Sequence, residues 1–400
     1  MRGGNEPHLV TRLILRSHRE ARLLAGHVWV YRSDVDRLEG RWQADEPVTV
    51  CDAGGRTLGR GFYNPRPQIV CRLLTRRDEP VDAAFFRARL EAAWRFRRSL
   101  GWDGDAARVV SSEGDGLPGL VVDRYADVLV LQALTLGMDR LAGQLAALAA
   151  EVAGARAVYR RVDATAAAIE GFEAPAGWLV GDGPTEVEIR EGPCRFRVPL
   201  ERGQKTGFYL DQRENRAAVA AHAAGRAVLD AFCYTGAFAC WALARGAASV
   251  LGLEASAEAC AQARAHVAAH GDAGRAEILE ANAFDALREL QRAGRQFDLV
   301  ILDPPPFTRR KTAVEAALRG YKEINLRALA CLRPGGLLAT FSCSHHVSPA
   351  LFEEVCRAAA ADGGRPVRLR ATYGQAQDHP VILTIPETRY LKGLLLEVLA

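Results

Sequence analysis

Lysine, methionine and paired cysteines are scarce in this chain, and each shortage narrows what it can be. Of 52 basic residues in 400, only Lys205, Lys311, Lys322 and Lys392 are lysine, and only two residues are methionine. With alanine abundant as well, this pattern reads as a compositional bias, so arginine enrichment alone argues for no partner. The nine cysteines (Cys51, Cys71, Cys194, Cys233, Cys240, Cys260, Cys331, Cys343 and Cys356) include no Cys-x-x-Cys spacing. That excludes a metal knuckle or dithiol redox pair and leaves reduced, mostly buried thiols; no metal is expected. No run reaches the roughly 18 uncharged apolar residues of a membrane span. Met1–His8 lacks the apolar core of about 7–15 residues of a secretory signal, so a cytoplasmic location without membrane attachment is expected. What is present, 49% hydrophobic and 25% charged residues, is ordinary globular usage, and at about 150 residues per domain it suggests two or three domains.

Charge is uneven along the chain. Residues 1–100 hold nineteen arginines, no lysine and twelve acidic residues, an excess of +7 against +4 for the whole chain. A basic front segment favours a polyanionic partner, because cations that displace counterions from phosphates supply sequence-independent affinity.

Short β segments, Thr11–Leu15, Glu46–Val50, Arg56–Tyr63 and Gln68–Leu74, separated by turn signals such as Ala53-Gly54-Gly55 and Asn64-Pro65-Arg66-Pro67, predict a small β-barrel over residues 1–78. The period then changes: Phe85, Phe86, Leu90, Ala93 and Trp94 share one face of an amphipathic helix over 80–100. Strand-like runs at Gly119–Asp123, Val128–Gln132, Ala157–Arg160 and Glu186–Arg190, with a helix over Asp139–Ala153, make residues 79–190 a central α+β domain. From 191 to 400 strands and helices alternate, predicting a doubly wound α/β domain of Rossmann-like form.

The first strand of that domain, Ala227–Asp230, ends in a carboxylate before the turn Ala231-Phe232-Cys233-Tyr234-Thr235-Gly236, and the second ends in Glu254. An acidic residue about 20 positions on accepts ribose hydroxyls, so Glu254 predicts an adenosine-type ligand. The turn lacks Gly-x-Gly-x-x-Gly and the chain has no Gly-x-x-x-x-Gly-Lys-Ser/Thr loop. NAD and ATP therefore fit poorly, and S-adenosylmethionine fits, with Asp230 and the backbone near Phe232 shaping its ammonium end and Asn282 hydrogen-bonding the adenine amino group. Asp230 as a helix cap and Asn282 as a turn residue are the structural alternatives.

The fourth strand ends in Asp303-Pro304-Pro305-Pro306-Phe307. Consecutive prolines join neither a ladder nor a helix interior, so they hold a rigid segment where a planar base would enter. Asp303 and nearby carbonyls accept from an exocyclic amine, and Phe307 is placed to stack on an extruded ring. The fifth strand, Gly336–Phe341, leads into Ser342-Cys343-Ser344-His345-His346. Carbon 5 of a pyrimidine is a poor nucleophile, but a thiolate adding to carbon 6 makes it an enamine-like one. Cys343 is the candidate thiol; an inert buried cysteine is its alternative.

With these motifs in view, the chain resembles the bacterial large-subunit (23S) rRNA cytosine-5 methyltransferases that carry an amino-terminal PUA domain. The resemblance spans nearly the whole chain and rests on Gly26–Tyr31, Gly203-Gln204-Lys205-Thr206-Gly207-Phe208-Tyr209-Leu210-Asp211-Gln212-Arg213-Glu214-Asn215-Arg216, Asp230–Gly236, Asp303–Phe307, Ser342-Cys343-Ser344 and Pro386–Gly393. It implies a PUA barrel that binds RNA, Cys343 as nucleophile, Asp303 orienting the cytosine, and S-adenosylmethionine lying over Asp230, Phe232, Tyr234, Thr235, Gly236, Glu254, Ala255, Asn282, Ala283, Asp303 and Pro304. It implies also that Lys205, Thr206, Phe208 and Tyr209 fold over the methionine end. Arg66, Arg72, Arg76, Arg77 and Arg213 are the expected RNA contacts, and a homodimer is implied by resemblance alone. Many RNA cytosine-5 methyltransferases carry a second cysteine where Pro306 stands, so this chain follows a one-cysteine arrangement and the group that removes the carbon 5 proton is open. Two other readings compete: methylation of an exocyclic base nitrogen at the Asp303–Phe307 turn without a thiol, and a non-catalytic RNA-binding or ribosome-assembly factor.

Overall fold

The computed structural model describes residues 11–101, 104–308 and 313–399, so Met1–His8 and Lys311 lie outside the described residues. The chain divides into two units. The first holds the residues up to Ile189 together with Val198–Leu210 and Gln377–Thr388; the second holds Arg190–Arg197, Asp211–Ala376 and the residues from Arg389 onward.

The first unit opens with six strands, β1 (Arg12–Leu15), β2 (Trp29–Tyr31), β3 (Val35–Glu39), β4 (Pro47–Cys51), β5 (Thr57–Tyr63) and β6 (Ile69–Thr75), in the order β2-β6-β5-β4-β1-β3. Their inward positions, Leu13, Leu15, Val48, Val50, Leu58, Val70 and Leu73, form one apolar core. Strands β2 and β3 are too short and polar to show a period in the sequence, and their pairing with β6 and β1 recruits them.

A helix over Ala83–Ser99 follows, capped by the Asp82 carboxylate, which accepts from the Phe85 backbone N–H at 3.0 Å. Phe86, Leu90 and Ala93 are buried on the expected face, and the next turn of that face is Arg97, fully buried and ion-paired with Asp115. The second sheet of this unit comprises β7 (Ala106–Ser111), β8 (Leu120–Tyr125), β9 (Val128–Ala133), β10 (Ala157–Arg160) and β11 (Gly177–Val180), in the order β11-β10-β9-β8-β7. The single helix expected over 139–153 divides at Leu141 into Leu136–Arg140 and Ala142–Ala153, because Leu141 takes φ −96°, ψ 3°. Strands β12 (Glu186–Glu191) and β13 (Cys194–Pro199) form a two-stranded sheet whose burial alternates with period two.

The second unit is built on seven strands: β14 (Ala227–Ala231), β15 (Ser249–Glu254), β16 (Ala276–Glu280), β17 (Phe297–Leu302), β18 (Leu332–Ser342), β19 (Val367–Gly374) and β20 (Lys392–Val398). Their order is β16-β15-β14-β17-β18-β20-β19. The first five run parallel, and β20 runs antiparallel to both its neighbours. β17 reads Phe-Asp-Leu-Val-Ile-Leu, the near-continuous apolar run of a central strand covered on both faces. The helix over Val314–Ala330 covers it, with Ala317, Tyr321, Ile324, Ala328 and Leu329 at helical spacing in the main core of this unit.

Candidate active site

Because β14 to β18 run parallel, their carboxyl ends share one edge, where open α/β sheets bind ligands. The segments leaving that edge carry Phe232–Gly236, Ala255, Asn282, Asp303–Phe307 and Cys343.

The turn after β14 is left-handed at three positions, Phe232 (φ +65°), Tyr234 (φ +49°) and Gly236 (φ +77°). Two of these are non-glycine residues, for which the conformation costs about 1–2 kcal/mol each, so the turn must be held from outside. Glu254 does part of this: Oε2 accepts the Tyr234 backbone N–H at 3.0 Å and Oε1 that of Ser256 at 2.9 Å. A carboxylate has about four lone-pair sites, so acceptor capacity remains for two ribose hydroxyls. His266, from the helix over Ala257–Ala269, holds the other side. Its Nε2 accepts the Arg197 backbone N–H at 2.9 Å, which puts the proton on Nδ1, and Nδ1 donates to the Thr235 carbonyl at 2.9 Å. Burial pushes the pKa of His266 down, in keeping with that neutral tautomer. At Gly236 an added Cβ would stand 3.0 Å from the Ala263 Cβ, so chain direction and close approach both require glycine.

Asp230 is buried, and neither of its carboxylate oxygens has a hydrogen-bond partner among the described residues. Burial, then the charge of Asp303, raise its pKa to about 8; the nearby Ala239 backbone N–H pulls the other way and Glu254 adds to the rise. A buried carboxyl without a partner has room for a counter-ion, which the ammonium of S-adenosylmethionine would supply. The residues therefore fit that group. Thr235 adds a second buried, unpartnered oxygen, Oγ1, at the same turn.

Asn282 caps the helix over Ala283–Arg292, its Oδ1 accepting the Phe284 N–H at 2.9 Å. The turn role is thus present, and the exposed amide nitrogen remains for a ring nitrogen. Beyond β17, Pro305 and Pro306 are exposed and Asp303 is partly so. The Phe307 ring packs 4.5 Å from Tyr321 and 5.5 Å from Phe284, centroid to centroid, which engages it in protein packing.

Of the nine cysteines, eight are buried and Cys343 alone is partly exposed. The Tyr321 hydroxyl bonds Ser344 Oγ at 2.9 Å behind it, and Lys392, at the start of β20, donates from Nζ to the carbonyls of Ser344 and Val347, each at 2.7 Å. His266 and Lys392 had no assigned role in the sequence. Lys392 lay in plain view inside Pro386–Gly393, but only the register of β20 brings it to Cys343.

The remaining site candidates divide between the two units. Lys205, Thr206, Phe208 and Tyr209 belong to the first unit. There the Phe208 N–H donates to the Tyr125 hydroxyl at 3.2 Å, Tyr125 pairs with the Thr206 hydroxyl at 2.8 Å, and Thr206 donates to Asp123, which also takes Arg108. Lys205 Nζ stands 4.3 Å from the Tyr209 ring centroid. Arg72 is ion-paired with the buried Glu170 at 3.1 Å, and Arg76 donates to the Leu23 and His27 carbonyls, so both serve the fold. Arg66, Arg76 and Arg77 are exposed. Arg213, in the second unit, is buried with an Nη2 3.9 Å from Glu214. Among the described residues no group of three or more His, Cys, Asp or Glu could hold a metal, and no helix is long and apolar enough to cross a membrane.

Strand order, the strained turn and the orphaned carboxyl define a class: S-adenosylmethionine-dependent methyltransferases with a Rossmann-like sheet. A family model described as S-adenosylmethionine-dependent methyltransferase matches residues 127–363, and one described as a PUA-like domain matches 13–76. The chain is 42% identical over 391 residues to ribosomal RNA large subunit methyltransferase I of Alteromonas mediterranea, covering 96% of this chain and 98% of that relative. It is 39% identical over 396 residues to the protein of that name from Klebsiella pneumoniae, covering 98% and 99%. The chain belongs to the ribosomal RNA large subunit methyltransferase I family, with S-adenosylmethionine as its cofactor. In fold it is similar to SMU.776, a methyltransferase solved with S-adenosylhomocysteine (TM-score 0.85, 21% identity, 98% of this chain and 100% of that one). A Streptococcus mutans methyltransferase structure is similar too (TM-score 0.83, 20% identity, the same coverage).

Proposed function

We propose that this protein methylates carbon 5 of one cytosine in large-subunit ribosomal RNA, with Cys343 as the nucleophile. The relatives' names supply the RNA class, and the observation that supports the chemistry is the position of Cys343, the one partly exposed thiol among nine, on the edge shared with Asp230 and Asp303. Cys343 Sγ adds to carbon 6, which puts electron density on carbon 5. The cofactor, when bound, supplies an electrophilic methyl. Asp303 and the rigid proline segment hold the exocyclic amine in plane, and Asp230 holds the cofactor's ammonium. As the carbon 5–methyl bond forms, the methyl–sulfonium bond breaks and S-adenosylhomocysteine is the leaving group; the carbon 5 proton then passes to water and Sγ is expelled from carbon 6 as the thiolate it began as. Asn282 and Glu254 orient the adenosine, and exposed Arg66 and Arg77 of the PUA-like sheet and its flank meet phosphates.

The test has two arms. Cys343→Ala abolishes methyl transfer and leaves S-adenosylmethionine binding intact, and nucleoside mass spectrometry of ribosomal RNA from cells lacking the protein shows the loss of one 5-methylcytosine. Full activity in Cys343→Ala would instead place the methyl on an exocyclic nitrogen.

A further inference from the structure

One group at this edge without a role in the proposed reaction is Lys392. It opens β20 opposite Ser342 of β18, one residue before Cys343. Its Nζ is buried and donates to two carbonyls, those of Ser344 and Val347, both in the segment that begins at Cys343. An ammonium has three donors, and two of them close the loop that begins at Cys343.

We propose that Lys392 is a positioning residue for Cys343: it clamps the 343–347 loop through two backbone carbonyls and provides the positive charge that favours the Cys343 thiolate. The inference rests on the reading of Cys343 as nucleophile only for its catalytic meaning. Burial lowers the pKa of Lys392 to about 8, and the charge of Cys343 acts against that fall. Coupling between two ionisable groups is reciprocal, so what the thiolate does for the ammonium the ammonium does for the thiolate. Other groups around the loop are Tyr321 from the helix over Val314–Ala330, whose own pKa burial raises, Tyr390, whose ring lies 6.0 Å from that of His345, Tyr373 next along β19, and the exposed His345 and His346. When the thiolate forms, the S–H bond breaks and its proton goes to water, with no further reactant.

The experiment follows the rate of Cys343 alkylation by iodoacetamide against pH in the full chain, read at the Cys343 peptide by mass spectrometry. Lys392→Met raises the midpoint by about one pH unit or more, lowering the rate below the midpoint ~10-fold; Lys392→Arg restores most of it. An unchanged midpoint in Lys392→Met overturns the proposal. Should Lys392→Met fail to fold, carbon-13 NMR of the lysine side chains, of which there are four, decides on Cys343→Ser: loss of the thiolate charge lowers the Lys392 midpoint, and an unmoved midpoint overturns the proposal equally. Neither titration uses RNA. If the coupling is present while Cys343→Ala still methylates, the nucleophile reading fails and the coupling stands; if the coupling is absent while Cys343→Ala is dead, the reverse holds.

Discussion

Asp303 stands two residues beyond the β17 partner of Asp230, and after burial its charge is the largest reason that the Asp230 carboxyl titrates near 8. A like charge at the neighbouring strand end thus favours the neutral form of Asp230. Without cofactor, Asp230 stays largely protonated at neutral pH; on the proposed reading, a bound ammonium would favour its ionised form.

This coupling gives a pH signature. Deprotonating Asp230 precedes its pairing with the ammonium, so S-adenosylmethionine affinity in the wild type rises between pH 6 and 8 relative to Asp230→Asn, in which that component is gone. Titration of the cofactor's own amine is common to both proteins and cancels in the comparison. Asp230→Ala weakens binding by about 2–5 kcal/mol, the range for removing one member of a buried charged pair. Stability of the cofactor-free protein moves the other way. With the folded pKa raised above the unfolded value, the unfolded chain binds fewer protons between pH 4 and 8, and stability falls across that window. Calorimetry and thermal melts over pH 5–9 check both signs.

Gly236→Ala puts a Cβ on a left-handed residue against Ala263. We expect a loss of about 1–2 kcal/mol from the backbone term alone, a lower melting temperature, and weaker cofactor binding through the displaced Tyr234–Gly236 turn. Gly236→Asn, which tolerates the left-handed region better, loses less. Equal losses in the two variants would trace the effect to crowding by Ala263.

What was legible in the sequence was periodic or punctuated. The helix over Ala83–Ser99 and strands β14, β15 and β17 carry apolar repeats strong enough to survive any tertiary context. β2, β3 and the helix over Ala164–Glu170 do not: the first two exist by pairing, and the alanine-rich helix is set by the Asp163 cap. The carboxylates and Cys343 could be placed because each sits at or just beyond the carboxyl end of a strand, and those ends define the edge. His266 and Lys392 could not, since one reaches the site from a helix face and the other from an antiparallel strand some fifty residues on. The Gly203–Arg216 motif reads as one unit in sequence yet divides at Leu210 between the two units, with Thr206 on Asp123 in one and Arg216 on Glu191 in the other.

Basic residues of the first unit separate by what they hold. Arg77→Ala and Arg66→Ala leave the melting temperature nearly unchanged and reduce the salt dependence of RNA binding, each by about one unit of slope. Arg72→Ala behaves differently, because Glu170, which also accepts from Asn64 at 2.8 Å and from the Leu136 N–H at 3.2 Å, is left as a buried carboxylate without its cation. A destabilisation of about 3–5 kcal/mol is expected there. Filter binding at several salt concentrations beside thermal melts distinguishes the two groups; a stable Arg72→Ala with a reduced slope would make Arg72 an RNA contact.

The Arg216–Glu191 pair is the corresponding test in the second unit. Its two bonds, Nε to Oε1 at 2.7 Å and Nη2 to Oε2 at 2.6 Å, are buried, and the Trp241 indole N–H donates to the same Glu191 Oε1 at 2.9 Å. Removing the cation alone strands a hydrogen-bonded carboxylate inside the unit, so Arg216→Met costs about 3–5 kcal/mol. Removing both charges with Arg216→Met and Glu191→Gln takes away the stranded charge while leaving an acceptor for Trp241, so most of that loss returns. The double-mutant cycle in urea measures this directly. Losses that simply add would show that packing around Trp241, and not the ion pair, holds this part of the motif.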